Sequence, residues 1–400
     1  MVNSAFQSGE CLQRGLCDLA PALLTPSAYT SRGLIRTALF VARQWAELLA
    51  AFTPAFGVRS ALREFRSKIE VFDLFENVDT VLRLPNGAPR SLRELVARAN
   101  ALDPFTAVWA IEGIGHYYAE TVWESRGAPH DLLREAATRD LPAKSLVALH
   151  AGMGLSLANR LLARVGRACR RCPESSHLDS VLRQFVTLCR DNSSEAYVAA
   201  SYEALGLVAR NLYPHLVTDI DRELRAMGDN LSDYFWHGVG RAIYFAPTNY
   251  LPLSGVASRV VEMTQQESPH EPGRRNALAG AIWAMVLVNL REPEVVENFL
   301  VNCADVRFDR DAFTNGVSSA TVIWRDSTES TAQLETLCRH RSQLGETWRM
   351  LIHDPCRLAL DRYYAALSRH NCIGEVFRYQ SLPRLLEKLE LNTPKALANF

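Results

Sequence analysis

The chain has 400 residues, 48% hydrophobic and 22% charged, an ordinary globular composition long enough for one large domain or two smaller ones. Forty-four basic and 44 acidic residues cancel, so no global basic field points to nucleic acid. The nine cysteines are odd in number and scattered, which excludes a secreted disulfide framework. No basic segment followed by an apolar core opens the sequence, and no apolar run reaches the ~18 residues of a membrane span. A cytoplasmic protein without a transmembrane segment is therefore expected.

In chain order, residues 1–30 read as an irregular lead carrying Pro21 and Pro26. Apolar spacing predicts a helix from Ser31 to Ala51 and a second from Val58 to Phe75, basic at its start through Arg59, Arg63, Arg66 and Lys68. A turn at 85–89 precedes Ser91-Leu-Arg-Glu94, a capping-box signature. Asp103-Pro104 opens a helix that runs to about Glu124, before Gly127-Ala-Pro129. The next helix starts near Leu141-Pro142, holds His150 and ends in the basic stretch Arg164 to Arg171. Cys169-Arg-Arg-Cys172 has CxxC spacing but no second pair, and reads as a basic helix end in preference to a redox or metal site.

Further helices are predicted at Leu178–Arg190, Ser194–Tyr213, Asp219–Met227, Leu231–Phe245, Arg274–Asn289, Pro293–Cys303 and Phe308–Arg325. The acidic run Asp219-Ile-Asp221-Arg-Glu223 reads as a solvated face, and 265–273 as a polar, proline-bearing loop. Ala277 to Leu290, the most apolar stretch, has the length of a buried helix. Strand-like alternation is scarce. The expected fold class is all-α: irregular helical-pair repeats over 58–327, an N-terminal lead and helix over 1–57, and a C-terminal helical appendage over 328–400.

The repeat signature is a small-x-small step: Gly113-Ile-Gly115, Gly152-Met-Gly154, Ala204-Leu-Gly206 and Gly238-Val-Gly240, with weaker versions at Gly280-Ala-Ile and Gly316-Val-Ser318. The steps recur at irregular intervals of about 35–50 residues, as in helical-pair repeats. Glycine inside a helix costs roughly 0.5–1 kcal/mol against alanine, so repeated use predicts close helix–helix approach.

Polar groups stand at fixed places beside these steps. Glu112, Glu203, His237 and Asn315 come one residue before, and His150 two before. If equivalent steps point their helices alike, Glu112, Glu203 and His237 share one interior space, with His150 the weakest member. Glu112, His116 and Glu120, four residues apart, share roughly one helix face. Carboxylate with neutral imidazole suits iron, manganese or zinc, although metal-binding helix pairs usually use Glu-x-x-His. The alternative is that each polar group pins its neighbouring helix. The sequence leaves metal and cofactor open. It contains no P-loop, no Rossmann fingerprint after a strand and no Gly-x-Ser-x-Gly elbow.

Taken in order, Ile-Glu112-Gly-Ile-Gly115, His150-Ala-Gly-Met-Gly154, Tyr202-Glu-Ala-Leu-Gly206, His237-Gly-Val-Gly-Arg241 and Arg274-Arg275 resemble a bacterial family of unknown function found in enediyne polyketide gene clusters, over roughly residues 60–330. His237 stands where that family has an acidic residue, and Ala204 where it has glycine. The resemblance implies natural-product biosynthesis. The expectation is an enzyme or accessory protein with an apolar pocket and central Glu112, His116, Glu203, His237 and His150, working on a hydrophobic small molecule or with a biosynthetic partner protein. The alternative is a non-catalytic scaffold that binds a protein partner.

Overall fold

Side-chain caps set several helix starts. Ser91 Oγ accepts from the Glu94 amide, Asp103 from Phe105 and Thr106, and Asp309 from Ala312, each satisfying first-turn N–H groups that have no partner inside the helix. The structure is a computed structural model that describes residues 32–76, 78, 82, 91–168, 175–228, 230–250, 252 and 255–392. The lead over 1–30, the turn at 85–89 and the Cys169/Cys172 pair lie outside the described residues.

The main helices are α1 (Arg32–Phe52), α2 (Phe56–Glu76), α3 (Leu92–Asn100), α4 (Pro104–Arg126), α5 (Leu146–Ala168), α6 (Ser175–Asn192), α7 (Val198–Leu212), α8 (Val217–Met227), α9 (Leu231–Tyr244), α10 (Val256–Glu267), α11 (Glu271–Val288), α12 (Pro293–Asn302) and α13 (Arg310–Ser327). The fold is all-α. Among the described residues there is no strand, only an isolated bridge between Leu133 and Ser193.

Helix α10 was not anticipated, and the loop expected over 265–273 shrinks to 268–270. Pro272 does not break α11; it sits in the first turn, where no amide donor is required, and His270 Nδ1 caps the helix by accepting from the Gly273 amide at 2.9 Å. Ala277 to Leu290 is buried throughout, as its length suggests. Among the described residues only 143–165 is long and apolar enough to cross a membrane, and 78% of that window is buried inside the fold. It is a core helix.

Six helices pack in sequence order: α4 on α5, α5 on α7, α7 on α9, α9 on α11 and α11 on α13. The intervening helices flank them, with α6 against α8 and α10 against α12. The seams between the six are backbone contacts. A Cβ on Gly115 would overlap the Leu149 carbonyl of α5, and one on Gly152 the Glu112 carbonyl of α4. The pairs Gly206 with Phe235 and Gly238 with Glu203 do the same between α7 and α9, and Gly240 with Ala277 and Gly280 with His237 between α9 and α11. The row curls until Phe105, near the start of α4, meets Trp324, near the end of α13, with ring centroids 6.4 Å apart.

Helix α2 crosses this assembly. The arginines that make its start basic are paired: Arg63 with Glu294 at 2.7 Å, Arg66 with Glu292 at 2.5 Å. Lys68 is fully buried. Its Nζ lies 2.7 Å from Glu64, donates to the Asn249 carbonyl at 2.9 Å and stands 3.9 Å above the Tyr244 ring. Burial lowers its pKa, partly countered by Glu64.

The C-terminal segment expected as an appendage over 328–400 packs, in its described part to 392, against the bundle. Phe377 is buried against His237 and Trp283, the Asn276 side chain accepts from the Tyr379 amide at 2.6 Å, and Glu297 of α12 accepts from Ser342 and the Gln343 amide, both at 2.7 Å. The helical run 346–369 packs on α13 through Ile352, Cys356 and Ala359, all fully buried.

Candidate functional site

Successive helix residues turn by about 100°. The two small residues of a step therefore lie about 200° apart, one facing each neighbouring helix in the row. The residue between them points to one side of the row, and the residue just before the step to the other. Ile114, Met153, Leu205 and Val239 are the residues between, and they fill the core. Glu112, Glu203 and His237 take the opposite side and converge.

All three are buried, at 5%, 0% and 0% exposure. The group that joins them is Arg241, one turn after His237 on the same face and 4% exposed. Its guanidinium donates to Glu112 Oε1 at 2.5 Å and to Glu203 Oε2 at 3.5 Å, so one cation spans both carboxylates. His237 Nδ1 lies 3.4 Å from Glu203 Oε1, and the Trp283 ring lies beneath Arg241 with the guanidinium carbon 5.2 Å from its centroid. Burial raises the Glu112 pKa, Arg241 pulls it back down, and the Glu203 charge raises it further. Burial opposes the charge on Arg241, but Glu112 and Glu203 together raise its pKa.

This centre opens on a cavity of about 70 Å³, room for about two waters by volume. Phe72 and Phe75 of α2, Trp109, Glu112 and His116 of α4, Leu155 and Asn159 of α5, Leu207 of α7, and Arg241 with Phe245 beside α9 line it. The walls are apolar except around Glu112, His116 and Arg241 and at two asparagines. Trp109 Nε1 and Arg241 Nε are buried donors without a hydrogen-bond partner among the described residues.

Other expected members lie elsewhere. His116 lines the cavity beside Phe75, ring centroids 5.6 Å apart. Glu120 turns away and accepts from Ser156 at 2.7 Å and from Arg160 Nε at 2.8 Å. Asn315 donates to the Gln380 carbonyl at 2.7 Å and ties the tail to α13. His150 does not join the centre. Two residues before its glycine, it points to the outer side of the row. Its Nδ1 donates to the Leu146 carbonyl at 2.7 Å and its Nε2 accepts from the Ser194 amide at 3.2 Å, which assigns the neutral Nδ1–H tautomer.

The acidic run on α8 is a solvated face only in part: Asp219, Arg222 and Glu223 reach solvent, but Asp221 is 2% exposed and accepts from Ser232 Oγ at 2.6 Å, Trp236 Nε1 at 2.7 Å and His270 Nε2 at 3.1 Å. Ser, His and Asp meet here, but the other His270 nitrogen caps α11, so the cluster is a fastening. The metal reading does not fit the central donor set, because Arg241 occupies the space between the carboxylates. No group of three or more His, Cys, Asp or Glu among the described residues is arranged to hold a metal.

Two buried groups outside the centre give opposite pH dependences. Burial lowers His150 from 6.5 to about 4. The unfolded chain holds the extra proton between those values, so this contribution to stability is complete above about 6.5 and is lost as pH falls through 4. Burial raises Asp326 from 3.8 to about 6, against hydrogen bonds from Tyr197 and Tyr364. Its contribution is complete below 3.8 and is lost as pH rises through 6. Each is on the order of 3 kcal/mol. Relative to the parent, His150→Gln therefore gains stability on moving from pH 7 to 4, and Asp326→Asn loses it. Urea midpoints across that range check both signs.

Comparison with family models, with curated proteins and with solved structures returns no match. The site is therefore read from its own geometry.

Proposed function

We propose that this chain binds a small, largely apolar molecule that presents an oxygen acceptor to Arg241 and Trp109. In this reading it acts as an enzyme or accessory protein of bacterial specialised-metabolite biosynthesis of the enediyne polyketide kind. The supporting observation is an apolar cavity whose lining includes a buried carboxylate, Glu112, and two residues with unpaired buried donors, Trp109 Nε1 and Arg241 Nε. Binding sites of this kind set a few polar groups in an apolar wall to orient the ligand. Glu112, with its raised pKa, is the group placed to give or take a proton. Arg241 neutralises charge that develops beside it, and His237 steadies Glu203 on the far side. The biosynthetic setting and a cytoplasmic location rest on the sequence reading alone.

The test is a thermal-shift screen with ketones and alcohols small enough for this cavity, of about three to five non-hydrogen atoms. A ligand at 100 times its Kd stabilises by about 2.7 kcal/mol, and Leu155→Trp, which fills the cavity, abolishes the shift. If no compound raises the parent Tm while Leu155→Trp alone does, the cavity is a packing void and the reading fails.

A further inference from the structure

Helix α1 presents six large apolar side chains outward: Phe40 (60% exposed), Val41 (44%), Trp45 (58%), Leu48 (48%), Leu49 (50%) and Phe52 (80%). They form one face. Val41, Trp45, Leu48 and Phe52 follow one another by four, three and four residues, the spacing of a coiled-coil seam, and in the sequence the same alternation runs back through Ala38 to Leu34. The opposite face is settled, with Ala46 and Ala50 buried as α1 packs on α2. Scattered exposed hydrophobes are normal, but a contiguous stripe of this kind marks an interaction surface.

Charge narrows the choice of partner. Arg43 is bound to Glu70 at 3.1 Å, and Glu47 lies 3.5 Å from Arg66. On α2, Arg59 and Arg63 are paired with Glu294. These arginines are committed within the fold, so they do not form the basic rim with which an interfacial helix grips anionic lipid. A neutral apolar stripe meets an identical stripe without repulsion. Six such side chains expose roughly 600 Å², and the adjoining Phe56 and Val58 bring this close to the ~800 Å² per partner of a stable interface.

We propose that α1 is the seam of a two-fold symmetric dimer, packing against α1 of a second copy about an axis near Trp45 and Leu48. A two-fold axis places the same patch on both sides, which a self-complementary stripe requires. This inference is independent of the cavity.

Sedimentation equilibrium of the full chain, from about 0.1 to 50 μM, tests it. The expected result is a dimer, with a dissociation constant raised roughly 100-fold or more by Trp45→Glu/Leu48→Glu and unchanged helical circular dichroism. If that variant misfolds, the uncharged pair Trp45→Gln/Leu48→Gln gives the same test. A dimer unaffected by a folded variant overturns the proposal, as does a monomer throughout the range. A monomer with buried-indole emission that Trp45→Phe removes assigns the face to residues 1–31, and one that pellets with phosphatidylcholine–phosphatidylserine vesicles assigns it to a membrane. Both results contradict the dimer.

Discussion

Gly238→Ala loses about 3 kcal/mol of stability, near the top of the range for overpacking a filled core. The sign is what makes this informative. An unobstructed Gly→Ala change in a helix interior gains roughly 0.5–1 kcal/mol from propensity. Here the new methyl meets the Glu203 backbone carbonyl of the neighbouring helix, well inside the 3.0 Å that real Cβ atoms respect. A backbone atom cannot rotate away, so α7 and α9 must separate. The same change at Gly206 acts on the same seam from the other side, against the Phe235 carbonyl. Gly57→Ala is the control, because its nearest neighbour is a side-chain oxygen at 3.4 Å. Calorimetry should show a Tm drop of at least ~5 °C for either seam variant and little change for the control. Equal behaviour of all three removes the seam argument.

Arg241→Met costs about 3–5 kcal/mol at pH 7, because it leaves two buried carboxylates without their cation. Part of this loss returns in acid. Burial already holds the Glu112 pKa above its usual value of 4.5, and removing Arg241 deletes the main influence that lowers it. The folded state then binds a proton that the unfolded state releases, so stability falls as pH rises above 4.5 and is recovered below it. Urea denaturation of Arg241→Met at pH 7 and pH 5 reads this directly. A variant equally destabilised at both pH values shows that packing, and not charge, is what Arg241 supplies. Arg241→Lys is not expected to substitute, since an ammonium lacks the fork that spans two carboxylates.

The row of helices was legible because its signal is local. Two small residues two positions apart can serve two neighbours, and the residue before them must then face the remaining side. That register placed Glu112, Glu203 and His237 together and marked His150 as the odd member. Extended by one turn, it reaches Arg241, Leu155 and Leu207, the lining of the cavity. Arg241 was missed because a lone arginine in a helix reads as surface. Its burial depends on carboxylates 38 and 129 residues away.

What stayed hidden depends on long-range contacts. Nothing in Phe72 or Phe75 says that α2 closes the cavity, and nothing in Phe377 says that the tail packs on His237. Helix α10 was obscured by polar residues near its end. Pro272 was misread because a proline opens a helix as readily as it ends one, and only the His270 cap decides between the two.

The account rests on Glu112 of α4 and Arg241 of α9 meeting in one buried centre. A double-mutant cycle with Glu112→Gln and Arg241→Met measures that meeting without any ligand. The account predicts a coupling of at least ~2 kcal/mol, with the double variant more stable than Arg241→Met alone. Additive losses, with coupling below ~0.5 kcal/mol, would mean that the two side chains do not interact and that the proposed centre does not exist.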